Sequence, residues 1–189
     1  LADAEGPISG TEYMTHNNLR GSVWTFLFRK EILHDLRFPK GILHEDEEFT
    51  PQLMLRAENL YFTNNKAYYY RKREGSIMHK RDKRWHIRRL SDAEQVLYRL
   101  KERVDYLPVK ERIAMERRIA QLTMDHIYNV IRLTHNETHL NHVLQRLSRR
   151  GLFPLPDKDY TSKYKWFRRM TNSSFGRKTL IMLLRLNKG

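Results

Sequence analysis

The chain has 189 residues and a formal net charge of +14, from 36 Lys and Arg against 22 Asp and Glu. It contains no cysteine, which excludes disulfides and thiolate chemistry, and no apolar run approaches the roughly 20 residues that a spanning helix needs. Its length can bury the core of one domain or two small ones, and its charge suggests an anionic partner such as nucleic acid, nucleotide phosphates or an acidic membrane face.

The charge is uneven. Residues 71–89 hold nine Lys and Arg against two acids, and residues 146–189 hold twelve against two. The anionic partner is therefore expected to meet those two segments.

Residues 1–20 are rich in Gly, Asn and Thr and read as loop with a short helical piece. Val23 to Phe28 is apolar and fits a buried strand or the start of a helix, which periodicity cannot separate over so short a run. Trp24 within it reads first as core. Phe38-Pro39 ends whatever precedes it, because the residue before proline is pushed out of the α region. Then come Glu45-Asp46-Glu47-Glu48 and an apolar stripe at Phe49, Leu53 and Ala57. Either Asp46 or Thr50-Pro51 can start that helix. Glu47 and Glu48 read as surface or helix-start charges, which the positive end of a helix dipole tolerates.

Asn59–Thr63 and Ala67–Arg71 read as two strands, with Asn64-Asn65 as turn residues. Tyr68, Tyr69 and Tyr70 alternate along the second, so at least one of them should be buried. Arg71 to Lys83 has no apolar period and reads as a cationic loop.

From Trp85 the apolar residues recur every three or four positions, as in helices. A first helix reaches Leu100. A second carries Ile119, Leu122, His126, Val130 and Leu133 on one face, and a third carries Leu140, Val143, Leu144 and Leu147 and ends at Gly151. His135, His139 and His142 fall near a helix junction and read as surface. The apolar tail from Phe175 to Leu186, with Arg177, Lys178 and Arg185, suits either an interfacial helix at an anionic bilayer or a buried helix.

The ordered set of Ser22-Val23-Trp24, Leu36-Arg37-Phe38-Pro39-x-Gly41, Glu45-Asp46 with Phe49 three residues on, and Tyr68-x-Tyr70-Arg71-x-x-x-Gly75-Ser76 resembles the family 2 glycosyltransferases of GT-A fold. The resemblance covers about residues 10 to 80. It implies an α/β part, a partial GT-A fold with a small mixed sheet, over residues 1–82. A mainly α-helical C-terminal domain is expected over 83–189. It also implies an upstream nucleotide-binding half with a metal-binding Asp-x-Asp. No Asp-x-Asp stands in that place here, so the chain is expected to be the C-terminal part of a longer enzyme and inactive by itself.

Inverting sugar transfer needs a carboxylate to take the proton of the attacking hydroxyl and cations to stabilise the leaving diphosphate. The resemblance assigns Asp46 as the base with Glu45 beside it, and Arg71, Arg73 and Ser76 to the donor diphosphate. It puts Trp24 on the acceptor side. Arginine suits the phosphate role because its planar fork pairs two oxygens at once. A divalent ion, Mg²⁺ or Mn²⁺, is implied for the full enzyme. With no Asp-x-Asp in that upstream place this part can be metal-free, and His79 is its candidate ligand.

The partners implied are a nucleotide-sugar donor and a glycan or lipid-linked acceptor in cell-envelope or capsular polysaccharide synthesis. They are joined by contact of residues 175–188 with an anionic membrane and by self-association. Such an enzyme works in the cytoplasm, at the inner face of the cell membrane, with no nucleic acid expected. The rival reading is a basic helical module that binds nucleic acid or protein, supported by basic and aromatic residues interleaved over Tyr164 to Arg169. It leaves the 38–79 set without a role.

Overall fold

The computed structural model describes residues 7–64, 66, 68–71 and 82–186. In chain order these form α1 (Gly10–His16), 3-10 turns at Val23–Thr25 and Lys30–Leu33, α2 (Glu45–Leu55) and α3 (Lys83–Val104). The rest are α4 (Val109–Thr134), α5 (Glu137–Arg149), α6 (Ser162–Asn172) and α7 (Ser174–Leu186).

Helix α4 is the axis of the structure. Its apolar residues recur almost all round, and Ala114, Met115, Ile119, Met124, Ile127, Val130 and Ile131 are all buried. A helix with buried residues round most of its circumference must be covered on most of its sides. Here α1 and α2 cover α4 together with α3, α5, α6 and α7. One hydrophobic core thus takes Met14, Leu19 and Met54 together with Leu97, Leu100, Leu140, Leu147 and Leu180. A smaller cluster joins Leu36, Phe49 and Leu53, and Phe38 stacks on Phe49 with ring centroids 3.9 Å apart.

The helix ends follow local chemistry. Asp82 accepts from the backbone N–H groups of Arg84 (2.7 Å) and Trp85 (3.2 Å) and so caps α3. Asn136 does the same for α5 through the His139 N–H. Gly151, at φ +67°, ends α5 in a Schellman turn: its N–H meets the Ser148 carbonyl, and the Leu152 N–H meets the Leu147 carbonyl at 2.9 Å.

The expected small mixed sheet is not present among the described residues. What pairs there is an isolated antiparallel bridge, with the Ile8 and Leu60 backbones exchanging hydrogen bonds of 3.3 and 2.8 Å. Val23–Thr25 is a 3-10 turn, and the described residues from Asn59 to Arg71 are irregular. The reason is physical. Tyr, Phe and Val favour a strand only where a neighbouring strand and a half-buried face await them, and here the neighbours are helices. Tyr68, Tyr69 and Tyr70 are accordingly all exposed, against the expectation that one would be buried.

Candidate active site

Helix α2 divides the four consecutive acids among different neighbours. The chain turns into the helix through Gly41 (φ +77°) and His44 (φ +65°), both in the left-handed region. The helix begins at Glu45 and runs through Pro51, so Thr50-Pro51 does not start it.

Glu48 points inward. It is 4% exposed and pairs with Arg99 at 3.3 Å and Arg103 at 3.7 Å, both on α3. Glu47 turns toward α4 and accepts from the buried Arg118. Both are charges in the first turn of α2, as one of the two sequence readings has it, and neither is the surface charge of the other. The segment before α2 is held at the same place: the Thr50 hydroxyl donates to the Gly21 carbonyl at 3.1 Å. A Cβ on Gly21 would lie 2.6 Å from the Glu47 carboxyl carbon, so a larger residue there would have to displace that carboxylate.

With Glu47 and Glu48 engaged, Glu45 and Asp46 are left at a cavity of about 730 Å³ between the start of α2 and the facing sides of α3 and α4. A second hollow of about 440 Å³ lies beside it, and Ser22, Asp46, Glu47 and Asp125 line both. Burial lifts the Asp46 carboxyl to a pKa of about 6, with the Glu47 and Glu45 charges adding to the effect. The Glu47 N–H, 2.9 Å from Asp46 Oδ1, opposes it without cancelling it. Burial also lifts the Asp125 carboxyl, although it accepts from the Tyr164 hydroxyl at 2.8 Å. On His44 burial acts the other way, and with the Arg89 charge it lowers the pKa to about 4. Neutral at physiological pH, His44 can accept from Arg89 Nε at 3.3 Å.

Four aromatic residues, Trp24, Tyr70, Trp85 and Tyr128, line this cavity. Trp24 and Tyr70 have centroids 5.3 Å apart and both contribute to the lining. Trp24 is 43% exposed and is therefore not the core residue its apolar neighbours suggested.

Of the residues singled out from sequence, Asp46, Glu45 and Trp24 come together around one cavity. Arg71 is exposed and follows the lining residue Tyr70. Arg73, Ser76 and His79 lie outside the described residues. Among the described residues no three His, Asp or Glu side chains converge to hold a metal ion. His135 is buried at the end of α4 rather than on the surface.

Sequence reading missed the far wall of the cavity, which is built by Arg89 on α3 and by Asp125, His126, Asn129 and Arg132 on α4. The available signal was polar residues at helix-neighbour spacing, 125, 129 and 132, along a helix that is otherwise apolar.

No family model matches the chain, and no solved structure matches it. Over 103 residues, 54% of its length, it is 27% identical to Glycosyltransferase GlyA of Streptococcus pneumoniae serotype 4 (strain ATCC BAA-334 / TIGR4). The chain spans 14% of that protein's length. By this measure the chain is similar to part of a glycosyltransferase.

Proposed function

We propose that the chain is the helical, acceptor-side part of an inverting, nucleotide-sugar-dependent glycosyltransferase of family 2, with Asp46 as general base. The observation that carries this reading is the placement of Asp46: a carboxylate of raised basicity, held at the start of a helix, facing a cavity large enough for a sugar. The likeness to a glycosyltransferase supports the reaction class.

In the reaction the acceptor hydroxyl enters beside Asp46 and gives it the proton. The oxygen forms its bond to the anomeric carbon from the face opposite the leaving group. The bond from that carbon to the diphosphate oxygen breaks, and the electron pair leaves with the nucleoside diphosphate. Asp46, titrating near 6, is unprotonated at neutral pH and holds the proton better than an ordinary aspartate does. Glu45 sits beside it, and Trp24 with Tyr70 offers an aromatic surface on which the apolar face of a sugar can rest. Arg71, with Arg73 and Ser76, takes the charge of the leaving diphosphate.

A divalent ion is proposed for the complete enzyme, with His79 as the candidate ligand from this part, and no step above depends on it. Phe175, Met182 and Leu186 are exposed on α7 near Lys178 and Arg185, which supports contact with an anionic bilayer on the cytoplasmic side. No described helix is long and apolar enough to cross a membrane. Cell-envelope or capsular glycans are the proposed products.

The test is acceptor-dependent release of nucleoside diphosphate by the full-length protein across a panel of nucleotide sugars. Release from at least one donor is expected. No release from any donor, with the protein folded and acceptor glycans supplied, overturns the reading.

A further inference from the structure

The cavity has a cationic end that the proposed base does not use. Four arginines on α3 and α4 find carboxylates: Arg88 meets Asp92 at 3.5 Å, Arg99 and Arg103 meet Glu48, and Arg118 meets Glu47. Arg89 and Arg132 line the cavity, and among the described residues neither has a carboxylate within ion-pair distance. The two charges feel each other: burial first, and then Arg132, lowers the Arg89 pKa. Arg89 is half-buried and Arg132 exposed at the cavity, so two like charges face one space and favour an anion placed between them.

The nearby carboxylates are already committed. Asp92 accepts the Leu43 N–H at 2.9 Å and faces Arg88. Glu94 is gripped by Arg146 through two hydrogen bonds of 2.7 Å and by the Tyr98 hydroxyl. His126 lines the same cavity. It is 3% exposed, and neither ring nitrogen has a hydrogen-bond partner, the Glu94 oxygen lying 3.7 Å away. A buried polar side chain facing a cavity can complete its bonding with water or with a ligand there.

Position along α4 separates this end from the carboxylates. Asp125 lines the cavity together with Asp46, and Arg132 follows seven residues later, about 10 Å farther along the helix. A molecule lying in the cavity can thus put a hydroxyl at Asp46 and an anionic group at the arginine pair.

Resting on the proposed function, we infer that Arg89 and Arg132 form a subsite that selects acceptors bearing an anionic group, a phosphate or a carboxylate, with His126 and Asn129 beside it.

The experiment is calorimetric titration of the full-length protein with glucose, glucuronate, glucose 6-phosphate and UDP, using wild type and an Arg89→Gln/Arg132→Gln variant. Glucose 6-phosphate, glucuronate or both should bind at least about tenfold more tightly than glucose. The variant should lose that preference and keep UDP binding, with an unchanged melting temperature showing that it folds. Preference for the phosphate alone or for the carboxylate alone identifies the group. Equal binding of charged and neutral sugars, or a preference that survives in the variant, overturns the inference. Loss of UDP binding in the variant also overturns it, because the pair would then belong to the donor. An Asp46→Asn protein separates the two claims: sugar transfer unaffected by that change sinks the catalytic reading, while the charge preference stands or falls by itself.

Discussion

The Arg118 guanidinium, buried on α4, donates to the Glu47 carboxylate on α2 and also to the Leu19 carbonyl at 2.5 Å. That contact fixes the start of α2 against the central helix. It pairs the acid next to Asp46 with a cation, while Asp46 and Asp125 face both hollows.

Removing Arg118 strands Glu47 in a largely buried position, and breaking one side of such a pair costs about 3 kcal/mol. For a chain of this size, Arg118→Met should lower the melting temperature by roughly 6–12 °C. The double variant Glu47→Leu/Arg118→Met should lose less than the single one, because no lone charge remains. Calorimetry on the four proteins of that cycle checks it. A single-variant loss no larger than that of an exposed arginine contradicts it.

Gly10 is a second fixed point. A Cβ there would lie 2.0 Å from the Met54 carbonyl oxygen, where α1 crosses the end of α2. Gly10→Ala must push the two helices apart, and overpacking of this kind costs about 1–3 kcal/mol. Gly41→Ala is the contrasting case: nothing lies near its Cβ, so only the left-handed φ of +77° is penalised, at about 1 kcal/mol. Urea unfolding of both variants measures the difference. Equal losses contradict the close contact.

The raised pKa of Asp46 has two consequences for pH dependence. For catalysis, kcat/KM should rise with pH and level off above a midpoint near 6, because the base must be unprotonated. For stability the sign is opposite. The folded-state value lies above the unfolded one, so the native state prefers the protonated form, and this contribution is lost as pH rises from about 4 through 6. Asp46→Asn should therefore raise the melting temperature at neutral pH, with the gain vanishing at pH 4. A gain that is the same at both pH values contradicts a buried, titrating Asp46.

Much of the helical framework could be read from sequence because α3, α4 and α5 each carry a long apolar period, and Gly151 supplies a clear stop. The sheet could not be read correctly. Val23 to Phe28 and the tyrosines at 68–70 have strand-like composition, but composition does not say whether a partner strand lies alongside. The site was half legible. Asp46, Glu45 and Trp24 belong to one ordered set of motifs within about twenty residues. Arg89, Asp125, His126 and Arg132 meet them only through packing of α3 and α4 across long sequence separations. The fates of Glu47 and Glu48 were hidden for the same reason, since Arg99, Arg103 and Arg118 lie about 50 to 70 residues away in sequence.

The most direct test of the central claim is sugar transfer by the full-length protein with Asp46→Asn beside wild type, donor binding being measured on both. Loss of a positioned general base predicts a fall in kcat of about 10²–10⁴-fold with donor affinity preserved. Transfer at the wild-type rate by the Asn protein would contradict the assignment of Asp46 and leave it as a carboxylate at a helix start.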